Sequence, residues 1–201
     1  MKENKVIAFF DFDGTITNRD IFWDYLLFRL KNGLSPLKVL KCIPVFTLYL
    51  AKFLNNEQAK QRIFSKIFKG ESASFFNSTV DQYYATNFLD RLKKDALNRI
   101  IWHKKSNHKV CIVSANFDYL LQRFAREQNL ELLCTQLDIE ENRLTGRFKT
   151  ANCYGIEKVN RIKQKYPDIN SYSQIYAYGD SKGDTEMLAL ATDRYYCFFK
   201  S

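Results

Sequence analysis

Four carboxylates, one lysine and one serine are the side chains whose types and spacing could do chemistry. Two of the carboxylates stand in Asp11-Phe12-Asp13-Gly14-Thr15, directly behind the apolar run Val6 to Phe10. Residues two apart at the end of a strand point the same way, so Asp11 and Asp13 converge on one site. An ordinary turn uses Asp and Gly too, but it does not explain two convergent carboxylates beneath a buried strand. The other pair lies in Gly179-Asp180-Ser181-Lys182-Gly183-Asp184, again behind an apolar run. Four carboxylates in one place would repel strongly unless a cation sat among them. Oxygen ligands with positions left for water and a phosphate suit magnesium. Ser114 ends the run Val110 to Val113, where its hydroxyl and the N–H groups of a following helix suit a phosphate oxygen. Lys158 falls near the start of a helix, where a cation opposes the helix dipole unless an anion binds nearby.

These residues need elements to hold them. Lys5 to Phe10 reads as a buried strand. From Asp20 to about Ser106 the apolar spacing is helical, with breaks near Gly33 to Pro36, at Asn55-Asn56 and at Gly70 to Ser72. Strands and helices then alternate. Strands are predicted over 109–114, 132–135, 174–178 and 195–199, with helices over 116–128, 156–166 and 185–191. A hairpin is predicted over 137–139 and 143–148, and Asn116 is read as the N-cap of its helix. That alternation predicts an α/β fold, a doubly wound parallel sheet, and the helical block becomes an insertion over the carboxyl ends of the strands.

Composition narrows the class. The chain has 201 residues, 46% hydrophobic and 26% charged, with only 7 Gly and 3 Pro, which excludes disordered and collagen-like chains. Lys plus Arg number 31 against 22 Asp plus Glu, a net charge of +9 that favours anionic partners. Most of the excess lies in Lys31 to Lys69, where Lys31, Lys38, Lys41, Lys52, Lys60, Arg62, Lys66 and Lys69 face Glu57 alone. The five cysteines show no CxxC spacing; they fit a reducing cytosol better than a disulfide framework or zinc site. Cys111, Cys134 and Cys197 sit in apolar runs and read as core; His103 and His108 read as solvated surface. Val6 to Phe10 is too short for a signal peptide, and Leu34 to Leu54 is too interrupted by lysine and proline to span a bilayer.

Taken in this order, DFDGT, Ser114, Lys158 and GDSKGD resemble the four motifs of the haloacid dehalogenase-like (HAD) hydrolases, and the match covers essentially the whole chain. A long helical insertion directly after the first motif resembles subfamily I, in particular its phosphoserine-phosphatase-like branch IB. The resemblance implies a Rossmann-like core over 1–17 and 95–201, an all-helical cap over 18–94, and hydrolysis of a phosphomonoester with Mg²⁺. Asp11 would be the nucleophile and carry an aspartyl-phosphate, and Asp13 would be the general acid and base. Asp11, Asp13 (through its backbone carbonyl) and Asp180 would hold the metal, Asp184 would support them, and Ser114 and Lys158 would bind the phosphate. Dehalogenases of the superfamily lack an acid at the position of Asp13, so its presence points to a phosphatase or phosphotransferase.

Asp20 stands where branch IB usually has a Glu that touches substrate; it serves equally as the N-cap of the helix entering at Ile21. The helix Glu57 to Lys69 places Ile63, Phe64, Ile67 and Phe68 on one face and Lys60, Arg62, Lys66 and Lys69 around it. With Leu34 to Leu54 it is similar to the cap of phosphatidylglycerophosphatase C-like members, as is Cys153 to Val159 for the third motif. The substrate is therefore expected to be a phosphorylated small molecule or a lipid headgroup, the latter with peripheral contact to an anionic membrane. Nucleic acid is not an expected partner, because the aromatics follow core periodicity. A non-catalytic basic protein that binds RNA or anionic lipid is the alternative from another class. It has no need of both Asp11 and Asp13.

Overall fold

Val6–Phe10 forms β1 because its five residues are all apolar and can be buried on both faces. The computed structural model describes residues 5–200. Ile7 and Phe9 point into one core cluster with Cys111, Val113, Ile175 and Ala177. Ala8 and Phe10 point into the other, with Ile112, Tyr176 and Tyr178. Alternation of this kind places β1 at the centre of the sheet. It pairs in parallel with β2 (Lys109–Phe117) on one side and β6 (Gln174–Gly179) on the other. Outside these lie β3 (Glu131–Thr135) and β7 (Asp193–Tyr196), giving the order β3-β2-β1-β6-β7, all parallel. The fold is the expected Rossmann-like α/β sheet.

Helices α1 (Ile21–Lys31), α2 (Pro36–Leu40), α3 (Ile43–Leu50), α4 (Asn56–Phe68) and α5 (Ala73–Thr86) follow β1 before the chain returns to the sheet through α6 (Lys94–Lys105). The expected breaks fall at their ends. Gly33 takes a φ of +96° after α1. Asn55 caps α4 by accepting the Gln58 N–H at 2.8 Å, and Gln58 reciprocates. The inserted block leaves and re-enters side by side: Thr17 bridges Leu92, and the Lys93 N–H donates to Ile16 C=O at 2.8 Å. After β2 come α7 (Asp118–Glu127), the antiparallel hairpin β4 (Leu137–Glu140) and β5 (Arg143–Phe148), α8 (Ile156–Lys165) and α9 (Thr185–Leu190). The hairpin props the inserted block, since the Gly70 N–H donates to Leu144 C=O at 2.8 Å and the Leu144 N–H to Glu71 C=O at 2.9 Å. Among the described residues no helix is long and apolar enough to cross a membrane.

Several expectations are corrected. The last strand is Asp193–Tyr196 rather than 195–199. Cys197 turns with a φ of +49°, which lays Phe199 over the sheet to stack on Tyr178 at 5.3 Å. Cys197 is exposed, whereas Cys111 and Cys134 are buried as expected. The apolar face of α4 packs inward, as expected of a single amphipathic helix, with Ile63, Phe64, Ile67 and Phe68 buried in the main core.

His103 is also not surface. It is wholly buried, with Nε2 2.9 Å from the Tyr178 hydroxyl and Nδ1 2.9 Å from His108 Nδ1. Burial first, then Arg99 and His108, push its pKa from 6.5 down to about 3. The unfolded chain therefore takes a proton below about pH 6.5 that the folded chain refuses until about pH 3. Stability should be intact above that window and fall as pH drops through it. Urea unfolding at pH 7 and pH 5 should show this loss, and His103→Gln should flatten it. An equal loss in the variant would assign the acid sensitivity elsewhere.

Candidate active site

The carboxyl ends of β1, β2 and β6 open on one side of the sheet, where the strand order reverses. Asp11 follows β1 directly and is anchored by donating its N–H to Tyr178 C=O of β6 at 2.9 Å. Asp180 follows β6 directly, so two chain segments far apart in sequence set their carboxylates side by side. Gly14 permits this approach, for a Cβ there would stand 2.1 Å from Asp180 Oδ2. Thr15 donates its hydroxyl to Asp180 Oδ1 at 3.0 Å. Gly183 makes the matching concession to Tyr154, whose ring would lie 2.3 Å from an added Cβ.

Lys158, in the first turn of α8, is buried and spends its ammonium on three acceptors. These are Asp11 Oδ1 at 2.5 Å, Asp184 Oδ1 at 2.6 Å and Val113 C=O at 2.8 Å. Burial alone would lower its pKa, but Asp11 and Asp184 hold it above the ordinary lysine range. Asp184 is fully engaged, because its Oδ2 accepts the Asp180 and Ser181 N–H groups and the Ser181 hydroxyl. It therefore braces the loop and Lys158.

Asp13 faces a different way. Its Oδ1 accepts the Ile21 N–H at 2.9 Å, and the Asn116 amide donates to both its oxygens at 3.2 and 3.0 Å. Burial and the neighbouring Asp20 raise its pKa well above the usual range, and Lys60 opposes them. Asp20 is the N-cap of α1, accepting Phe22 and Trp23 N–H groups at 2.9 and 3.3 Å, and it also lines the cavity. Ser114 is buried beside the site with its Oγ accepting the Asn116 N–H at 3.0 Å; Ala115, not Ser114, lines the cavity.

Three residues escaped the sequence reading. Asn116 is not a helix cap: β2 runs on to Phe117 with a register shift after Ser114, and α7 starts at Asp118. Lys60 of α4 reaches across to Ala115 C=O at 2.9 Å, lies over the Phe117 ring at 4.8 Å and lines the cavity. Thr15 completes the set on Asp180. Asn116 had the local signature of a cap and Lys60 that of a basic helix face, so neither carried a local signal of the site. The cavity enclosed by these groups measures about 420 Å³, with Trp23, Phe46 and Tyr49 forming its inserted-block side.

The donor set fits a hard divalent cation. Asp11, Asp180 and Asp184 bring carboxylate oxygens within 4.8 Å of one another, opposed at contact distance by Lys158 and from further off by Lys93. Burial, resisted by Lys158, pushes Asp11 up to about 7, and burial also raises Asp180. With Asp184 saturated by its own hydrogen bonds, Asp11 and Asp180 are the carboxylates left for an ion. One or two carboxylates plus water and a phosphate is the coordination magnesium favours.

The comparisons with known proteins agree with this geometry. The haloacid dehalogenase-like hydrolase family model matches residues 8–189. Protein CicA of Caulobacter vibrioides is 30% identical over 205 residues, spanning 100% of this chain and 89% of that protein. A solved protein of unknown function from Bordetella pertussis Tohama I is similar with a TM-score of 0.82 at 20% identity, covering 94% of this chain and 88% of that one. A substrate-bound phosphoserine phosphatase is similar in fold with a TM-score of 0.66 at 18% identity, covering 98% and 87%. Motif order, parallel-sheet topology and a family match across most of its length converge: this chain belongs to the haloacid dehalogenase-like hydrolases.

Proposed function

We propose that the chain is a Mg²⁺-dependent phosphatase that hydrolyses a phosphomonoester through an aspartyl-phosphate on Asp11. The observation that carries this reading is the buried Asp11–Lys158–Asp184 chain beside Asp180, at the mouth of a cavity that Asp13 also faces. The catalytic unit comprises 1–17 and 95–201 and the cap 18–94; residues 1–4 and 201 lie outside the described residues.

Asp11 Oδ1 is committed to Lys158, so Oδ2 is the attacking atom. A bond forms from Oδ2 to phosphorus, the ester P–O bond breaks, and Asp13 gives its proton to the leaving alcohol. Asp13 then takes a proton from water, which attacks phosphorus and frees Asp11 and inorganic phosphate. Lys158, which lines the cavity, brings positive charge beside the phosphate; Ser114 acts from behind Ala115, holding the Asn116 N–H; and Asp20 contacts the rest of the substrate. Bound magnesium, held by Asp11, Asp180 and the Asp13 carbonyl, supplies charge neutralisation between carboxylate and phosphate. A panel of phosphomonoesters assayed with Mg²⁺, with Asp11→Asn as the blank, tests the reading. A cavity of about 420 Å³ suits a phosphorylated small molecule. A basic binding protein is the weaker reading, because it would bury this carboxylate cluster for no purpose.

A lipid-headgroup substrate is favoured by one observation. Leu37, Leu40, Ile43 and Leu50 of α2–α3 and Phe53 just beyond are exposed, Phe53 by 78%, while Phe46 and Tyr49 of the same arm line the cavity. Lys31, Lys41 and Lys52 are exposed around them, and 31–56 holds no acid, so an anionic bilayer is the matching partner. A second copy would set these lysines against themselves. Within the basic ring of α4, Lys60 belongs to the cavity rather than to this outer surface. Each lysine near an anionic surface contributes about 1 kcal/mol, so Lys31, Lys41 and Lys52→Gln together should weaken vesicle binding about a hundredfold. Turnover of a soluble phosphoester should be unaffected. Wild type that ignores anionic vesicles at low salt would leave the soluble-metabolite reading.

A further inference from the structure

Asn116 is a wholly buried side chain to which the mechanism gives no role. Its Oδ1 accepts the Phe117 N–H at 2.8 Å, while its Nδ2 donates to Asp13 Oδ1 at 3.2 Å and Oδ2 at 3.0 Å. Turning the amide over would set a carbonyl against a carboxylate and an NH₂ against an N–H, so chemistry allows one orientation. The backbone beneath it is pinned as well, by Ser114 Oγ on the Asn116 N–H and by Lys60 on Ala115 C=O. With the Ile21 N–H added, Asp13 Oδ1 has two donors and Oδ2 has one. Oδ2 therefore keeps the spare capacity.

We propose that Asn116 is a positioning residue, whose amide holds the Asp13 carboxyl so that Oδ2 delivers and collects the proton at the reacting oxygen. This rests on the reading of Asp13 as acid and base. An NH₂ can only donate here, so it cannot accept the Asp13 proton and leaves it directed at substrate. In the first step the Oδ2–H bond breaks as an O–H bond forms on the departing alcohol. In the second, the carboxylate takes a proton from the attacking water.

The role can be read from leaving-group dependence. An alkyl phosphate needs its leaving oxygen protonated, whereas p-nitrophenyl phosphate needs it far less. With Mg²⁺ present, Asn116→Ala should lower kcat on glycerol phosphate about 10- to 100-fold, leave KM within about twofold, and slow p-nitrophenyl phosphate much less. In an Asp13→Asn background the same change should add little, because both act through one proton. Thermal unfolding midpoints separate these effects from misfolding, and Asn116→Ser serves if the alanine variant does not fold. Equal losses on both esters, or a full further loss in the Asp13→Asn background, would overturn the inference. A slow Asp13→Asn with a full-speed Asn116→Ala would overturn it alone. A wild-type rate in Asp13→Asn would remove the reading of Asp13 as well.

Discussion

Asp11→Asn should leave no hydrolysis above the blank, a loss on the order of 10⁴-fold or more, as when a nucleophile that works within a unit is removed. A neutral amide is a poor nucleophile and a poorer ligand for a hard cation. It would still accept the Lys158 ammonium through Oδ1, so the surrounding geometry should survive. Burial raises the native carboxyl from 3.8 to about 7, so its ionisation costs stability progressively as pH rises through that window and fully above it. The variant should therefore unfold at the same temperature as wild type or higher, the usual trade between an active site and stability. Acid-quenched enzyme incubated with radiolabelled phosphoester should carry label in wild type and none in the variant. Substantial turnover or retained label would remove the covalent mechanism.

Exhaustive chelation should silence the enzyme, and added Mg²⁺ should restore it. Asp11, Asp180 and Asp184 bring carboxylate oxygens within 4.8 Å of one another, and Lys158 is ion-paired only to Asp11 and Asp184, so Asp180 is left for a cation. An ion bound there favours the folded chain, by about 2.7 kcal/mol at a hundredfold excess over Kd. The unfolding midpoint should rise with Mg²⁺ in the absence of substrate. Asp180→Asn should blunt the rise, because it removes a carboxylate that only Thr15 and the ion would share. Activity that survives chelation, or a midpoint blind to Mg²⁺, would place the chemistry on the protein groups alone.

The central strand and most of the site's acids were legible in the sequence. Val6 to Phe10 is apolar at every position, which forces burial on both faces and hence a place inside a parallel sheet. Asp11 and Asp13 on one strand end, and Asp180 and Asp184 on another, are separated by two and four residues, and spacing that short is governed by local backbone geometry. Helix ends were equally local: Gly33 and Asn55 mark them by conformational preference and capping. The last strand was not, because an aromatic run pairs in a ladder or folds over a sheet with equal local propensity. Contact with Tyr178 and Phe10 decided it for Phe199.

What a buried polar group faces belonged to the tertiary structure. Lys158 reads as a cation near a helix start that needs an anion, but that its partners are Asp11, 147 positions away, and Asp184 is decided only when α8 packs on the sheet. Asn116 has the composition of a helix cap and becomes the partner of Asp13, 103 positions away, because β2 runs past Ser114 with a shifted register. Lys60 belongs to a basic amphipathic helix, and only the seating of α4 against the core turns it inward to Ala115 while leaving α2–α3 outside. His103 is polar and sits in a lysine-rich stretch, yet the hydroxyl of Tyr178 makes its burial tolerable. Periodicity reports whether a position is buried, since that depends on one element at a time. The identity of its partner depends on two elements at once, and no local pattern contains it.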